Sequence, residues 1–318
     1  MPYSNPKPVS LSPEQATACP VCANSDVEVY RDDDDKDRSL TSSDLGSSRK
    51  SVFHGKILRC RACGFGFRAW RPSAPELESL YRELDPVIYE RESSGRVRTA
   101  QRHLEIVRKH ISGGRVLDVG CASGAFLSCA ADDGWEVAGV EPSRVLCAKA
   151  QERLRGRGTV LSCSLENAEL AKGSMDLLTL WDVLEHVPAP IEFLRHCASL
   201  VKPGGFVVAN VPDLESWQAR LLGERWPLLL AEHLNYFTRE SLALTGEAND
   251  LEVIRFGRRP ASFSLDYVLH RLAQHDFPGA AIGHSVVRAC GLGGASIPAY
   301  LGESYVVWKR LKTSGGTT

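Results

Sequence analysis

An α/β chain, a Rossmann-like sheet preceded by a small cysteine-bearing ribbon, is the fold class that this 318-residue sequence predicts. Three observations carry it. Two Cys-x-x-Cys pairs stand near the front, at Cys19/Cys22 and Cys60/Cys63. A strand, a glycine turn, a helix, a second strand and an acid follow one another between Arg115 and Glu141, as in the first half of a nucleotide-binding unit. Further apolar runs then alternate with helical and turn signals to the end of the chain, as a mostly parallel sheet requires.

The cysteine pairs come first. Each Cys-x-x-Cys forms a tight knuckle that aims both sulfurs at one point, and two knuckles complete a tetrahedral sulfur shell. Cys19, Cys22, Cys60 and Cys63 are therefore the candidate ligands of one structural zinc. Four protein ligands leave no open position for catalysis, so the ribbon, residues 1–75, reads as scaffold. The 37 residues between the pairs exceed an ordinary ribbon spacing. The excess, near 31–50, is charged and serine-rich, and is expected to be a disordered insertion. A helical lead-in spans 76–111. Its arginines, from Arg91 onward, read as a solvated helix face.

The α/β unit, 112–318, begins with "RVLDV" (115–119), a buried strand. Gly120 to Gly124 form the turn, Phe126 to Ala131 start a helix, and Trp135 to Val140 make a second strand ending in Glu141. Glu141 lies about twenty residues past the turn, where a carboxylate takes both hydroxyls of a ribose. Ala122 stands where a dinucleotide loop often has its middle glycine, and Asp118 precedes the loop.

The loop "DVGCASG" resembles the first motif of class I S-adenosylmethionine-dependent methyltransferases. "SMDLLTLWDVLEHVPAP" is similar to that family's fourth strand and following turn, and "FLRHCASLVKPGGFVVANVPD" to its next helix, Pro-Gly-Gly turn and fifth strand. Leu251 to Phe256 and Gly302 to Lys309 match its last two strands, the final one antiparallel. The resemblance implies a seven-stranded sheet with S-adenosylmethionine as cofactor. It would be held by Asp118, Gly120, Cys121, Ala122 and Gly124 in the loop, by Glu141 and Pro142 after the second strand, by Ser164 and Leu165 near the adenine, and by Trp181 and Asp182 after the fourth strand. Insertions near 213–245 and 260–300 are placed on the substrate side.

"AEHLNYFT" (231–238) follows the fifth strand by about twenty residues, at the carboxyl edge of the sheet, where open α/β folds bind ligands. It resembles the "EH..Y" segment of zinc-containing sugar C-methyltransferases. Carried over by position, His233 is the base that takes the acceptor's proton, Glu232 orients or charge-stabilises it and Tyr236 contacts the acceptor. The other reading has His233 capping or packing the turn before the "TRES" helix, whose Thr238 and Ser241 offer capping hydroxyls; His186 is the rival base.

The expected function is methyl transfer to a small-molecule acceptor, a sugar or natural-product intermediate, on carbon or oxygen. An O-methyltransferase of quinone or phenol type is the first alternative. A nucleic-acid-binding ribbon protein that only senses the cofactor is the second, and the formal net charge of −1 weighs against it. No run approaches the ~18 apolar residues of a membrane span. With no secretory apolar segment at the front, the ten cysteines are expected as thiols and metal ligands in the cytoplasm. The oligomeric state is not legible.

Overall fold

The computed structural model describes residues 14–15, 18–32, 54–82, 93–258, 261–274 and 277–312. The insertion expected near 31–50 lies, from residue 33 onward, outside the described residues. In chain order the strands are β1 (Glu14–Gln15), β2 (Val27–Arg31), β3 (Ile57–Cys60), β4 (Gly66–Arg68), β5 (Trp70–Arg71), β6 (Arg115–Val119), β7 (Glu136–Val140), β8 (Gly158–Leu161), β9 (Met175–Trp181), β10 (Val201–Pro212), β11 (Asn235–Tyr236), β12 (Leu251–Gly257), β13 (Ala261–Ser264), β14 (Ser296–Ala299) and β15 (Glu303–Arg310).

Seven of them form one mixed sheet, in the order β12-β15-β10-β9-β6-β7-β8. The five from β10 to β8 are parallel, and β15 runs antiparallel between β10 and β12. Strands flanked on both sides and covered by helices on both faces must be apolar throughout. Accordingly Val116, Leu117, Leu177, Leu178, Val207 and Val306 are all buried. The strand order reverses between β6 and β9, so the carboxyl ends of these two strands open the crevice where such sheets bind ligands.

The ribbon is not a separate lobe. Its antiparallel sheet, β2-β3-β4, takes a fourth strand, β11, from the segment after β10. Asn235 pairs with Phe67 and Tyr236 with Gly66. Phe65 packs edge-on against Phe237, ring centroids 5.1 Å apart, and both rings are fully buried. Thr238 caps helix Arg239–Glu247 in a reciprocal box with Ser241, and its hydroxyl also donates to the Cys63 carbonyl at 2.9 Å. A boundary at residue 75 therefore cuts through a shared sheet and a shared core.

The lead-in supplies helices Ala74–Arg82 and Ser93–Val107, which lie over the crevice. The insertion near 260–300 folds as a β13-β14 hairpin carrying helices Leu265–Gln274 and Ala280–Ala289, with β13 against helix Ser93–Val107. No helix among the described residues is long and apolar enough to cross a membrane.

Candidate functional site

A cavity of about 570 Å³ occupies the switch point. One half is built by the turn after β6. Gly120 adopts φ +68 and Gly124 φ +73, the left-handed region that glycine enters at no steric cost. Ala122 also turns left-handed, at φ +48, and its amide donates to Glu141 Oε2 at 2.9 Å. The other Glu141 oxygen accepts from the Ser143 amide at 2.9 Å. The carboxylate at the end of β7 thus holds the loop shape itself. Asp118 accepts from the Thr179 hydroxyl at 2.7 Å, tying β6 to β9. Burial pushes both carboxyls up to about 7. Two buried carboxyls that meet no cationic partner among the described residues suit a ligand that brings hydroxyl and ammonium donors.

Of the residues expected to hold the cofactor, Asp118, Gly120, Cys121, Ala122, Glu141, Pro142, Ser164, Leu165, Trp181 and Asp182 all line this cavity. Gly124 does not. A Cβ there would sit 2.9 Å from the Ala150 side chain, so this glycine serves helix packing behind the loop.

The other half is assembled from distant segments. Glu232 and His233, from the segment after β10, line the cavity beside Glu185 and His186, which follow β9. The two loops are laced together. The Glu185 carbonyl accepts from the amides of Leu234 (2.8 Å) and Asn235 (3.0 Å), and the Asn235 amide side chain donates to the carbonyls of Leu184 and Val187. His186 Nδ1 donates to the Glu232 carbonyl at 3.0 Å, and His233 Nδ1 to the Leu228 carbonyl at 2.9 Å. These bonds put each ring's proton on Nδ1 and its lone pair on Nε2. The rings stand edge to face, 4.9 Å apart. Burial lowers His186 to about 4, so it is neutral at physiological pH.

The ribbon holds this half from behind. Arg71 of β5 donates to the carbonyls of Pro188 (2.9 Å), Val187 (3.3 Å) and Leu234 (3.4 Å), and to Asn235 Oδ1 (2.6 Å). Arg68, at the end of β4, donates to the Ala231 carbonyl. One guanidinium thus grips both histidine-bearing loops.

Tyr236 corrects an expectation. It is fully buried, is absent from the cavity wall, and packs on Trp226 and on the edge of His233. In β11 its side chain faces inward from a strand whose partner is the ribbon, so it supports the His233 ring instead of touching an acceptor. The helix-capping reading of His233 is also displaced, because Thr238 and Ser241 provide the cap by themselves.

Sequence reasoning passed over several lining residues. Arg96, Thr99, Ala100 and His103 face the cavity from helix Ser93–Val107. Their i, i+3, i+4, i+7 spacing was the available signal, and it shows that Arg96 is not on a solvated face. His103 stacks on Trp181, centroids 3.8 Å apart. Glu303 at the start of β15 also lines the cavity and is pushed up to about 8 by burial; no local pattern marks it.

Away from the cavity, the four ribbon cysteines converge, with every Sγ within 4.8 Å of the others. Cys19 and Cys63 are 3.6 Å apart, Cys22 and Cys60 3.5 Å. Sulfurs at ~2.3 Å from one tetrahedral ion would be about 3.8 Å apart. The donor set and its spacing fit a single thiolate-bound metal.

Comparison with known proteins agrees with this layout. The methyltransferase-domain family model matches residues 91–255. Ubiquinone biosynthesis O-methyltransferase of Burkholderia multivorans is 29% identical over 156 residues, covering 46% of this chain and 67% of that one. Its counterpart in Burkholderia ambifaria (strain MC40-6) is 29% identical over 198 residues, 59% and 79% of the two chains. Among curated relatives the chain spans from about half to about four fifths of their length. A chain from the complex between the Haloferax volcanii Trm112 methyltransferase activator and a methyltransferase shares the fold, with a TM-score of 0.50 at 15% identity over 68% of this chain and 91% of that one.

Proposed function

This chain belongs to the methyltransferase-domain family, and from that premise we propose that it methylates a small-molecule acceptor on oxygen or carbon, using S-adenosylmethionine, with His233 as general base. The observation that carries the reading is one cavity with a glycine-loop half and an imidazole half. S-adenosylmethionine supplies an already activated methyl group. Asp118, Glu141 and the Gly120–Ala122 turn would hold it, with Trp181, Asp182, Ser164 and Leu165 around it.

The protein's own tasks are then alignment and proton removal. Alignment alone is worth roughly 7–11 kcal/mol of barrier. His233 Nε2 carries the lone pair, and the Leu228 carbonyl fixes the ring so that the lone pair cannot rotate away. Glu232 stands next to it on the cavity wall. His186, rigidly neutral, shapes the same face. A zinc ion on Cys19, Cys22, Cys60 and Cys63 would stiffen the ribbon, and through Arg71 the loops that carry both histidines.

Arg96 is the one lysine or arginine among the described lining residues, against nine carboxyls. That balance favours neutral or cationic acceptors over phosphorylated ones. It is compatible with a sugar or natural-product ketone and equally with the quinol or phenol acceptors that the named relatives bring forward. Incubation with S-adenosylmethionine and panels of catechols, quinols and keto-sugars, followed by mass spectrometry, tests the reading. A product heavier by one methylene from any panel supports it. Failure to bind S-adenosylmethionine at all would refute it.

A further inference from the structure

Three neighbouring strands bring polar side chains to one stretch of the cavity wall. Asp182 follows β9, Asn210 stands near the end of β10 and Glu303 opens β15. Asn210 pairs in register with Trp181 on one side and Tyr305 on the other, so it lies between the two carboxyls. Its amide donates to Asp182 Oδ1 at 2.7 Å and also faces Glu303. Glu185, from the turn after β9, lines the same cavity. We propose that Glu185 and Glu303, with Asp182 beside them, form a subsite for a positively charged amine, so that the acceptor is a hydroxylated or carbonyl compound carrying a basic nitrogen. That the owner of the amine is the methyl acceptor rests on the proposed function; the subsite does not.

Three features carry the assignment. First, Glu185 is 2% exposed, and its Oε2 is buried without a hydrogen-bond partner. A buried carboxylate oxygen is costly until a donor or a positive charge meets it. Second, the carboxyls act on one another. Burial raises Glu185 well above the usual carboxylate range, and Asp182 and Glu303 raise it further. Burial and then Asp182 push Glu303 up to about 8. Like charges gathered in a poorly hydrated wall are relieved together by one cation. Third, the wall offers little charge of its own. His186, next to Glu185, is held neutral by burial, and Arg96 is the one lysine or arginine among the described lining residues.

The chemistry of the ligand follows. A primary ammonium brings one charge and three N–H donors, enough to meet oxygens arriving from several strands. A neutral hydroxyl brings one donor and no charge, and leaves the repulsion between the carboxyls in place. Phosphate or carboxylate groups would add to it.

The test is calorimetry on the full chain with two matched pairs of probes, with and without saturating S-adenosylhomocysteine. The pairs are tyramine against 4-propylphenol and glucosamine against glucose; only the first of each carries an ammonium at neutral pH. At least one amine should bind roughly tenfold or more tighter than its neutral partner, the worth of hydrogen bonds to a charged group. Glu303→Gln and Glu185→Gln keep the side-chain shape and remove a charge, and each should shrink that ratio toward unity. Circular dichroism establishes that both variants are folded. Equal affinities within both pairs, or no binding of either amine at millimolar concentration, would overturn the proposal. So would a preference that survives in both variants. A loss of S-adenosylhomocysteine affinity in the variants, with the amine ratio unchanged, would give the carboxyls to the cofactor and also overturn it. Failure of the unaltered protein to bind S-adenosylhomocysteine refutes the methyl-transfer reading instead, and the amine ratio is still read without it, which keeps the two failures apart.

Discussion

The two halves of the cavity are built by opposite means. The glycine-loop half comes from one continuous stretch, Asp118 to Ser143, and its bonds close on themselves: Glu141 to the amides of Ala122 and Ser143, with one tie to Thr179. The imidazole half draws on the ribbon, the turn after β9, the segment after β10 and the start of β15. Nothing in "AEHLNYFT" holds His233 in place unaided. Its carbonyls are gripped by Arg68 and Arg71, its β11 pairs with β4, and its helix cap is riveted to Cys63. The half proposed to hold the cofactor is encoded locally, whereas the half proposed to deprotonate an acceptor depends on distant packing.

This contrast can be broken by experiment. The largest effect is expected at the proposed ribbon metal, because zinc binding at such sites is worth on the order of 10 kcal/mol. Cys60→Ser/Cys63→Ser should lose the ribbon zinc and turnover together while S-adenosylmethionine still binds, checked by metal analysis and calorimetry. Loss of cofactor binding as well would show that the halves are not separable.

His233→Ala comes next. Turnover should fall roughly 10²–10⁴-fold, the range for a general base, with cofactor affinity nearly unchanged. Near-normal turnover in the folded variant would make this residue a turn histidine. On the opposite half, Glu141→Ala should weaken S-adenosylmethionine binding by about 1.5–3 kcal/mol, the worth of hydrogen bonds to a charged group. Calorimetry with unchanged affinity would remove Glu141 from the cofactor site.

A smaller effect follows from pH. Asp118 and Glu141 are raised by burial to about 7 in the cofactor-free protein. A cofactor that needs them ionised should lose affinity as pH falls through 7, about tenfold per unit for each carboxylate that must ionise. The sign for stability is the reverse. Raised folded values contribute stability that is fully present below the ordinary carboxylate range and lost as pH rises through about 7. Without cofactor, these two groups should therefore raise the melting temperature on mild acidification. Affinity that is flat between pH 6 and 8 would place neither group at the ligand.

The same contrast explains what was legible in the sequence. The strand, turn, helix, strand and acid could be read because each signal sits beside the next, and ten of the eleven expected cofactor residues line the cavity. Gly124 was misread because a left-handed turn looks the same in sequence whether a ligand or Ala150 crowds it. The cysteine spacing foretold the sulfur cluster. It could not foretell that β11 joins the ribbon, since a two-residue strand has no periodicity to read. Tyr236 went wrong for that reason: which face it shows depends on a partner about 170 residues earlier in the chain. The grip of Arg71 on four groups is invisible locally, as is the entry of Glu303 from the last strand.

The dependence of the imidazole half on the ribbon is tested most directly at Arg71, whose hydrogen bonds go to Val187, Pro188, Leu234 and Asn235 and not to the glycine loop or a cysteine ligand. Cofactor affinity and single-turnover rate should be measured side by side for the unaltered protein, Arg71→Ala and Arg71→Lys. Misplacing a reacting group by about 1 Å can cost ~10²-fold, so the rate should fall tenfold or more in Arg71→Ala and partly recover in Arg71→Lys. Affinity for S-adenosylmethionine should stay within about twofold, because no Arg71 hydrogen bond reaches the glycine-loop half. Rate and affinity falling together, or a rate that does not change, would contradict the view that the ribbon holds the catalytic loops.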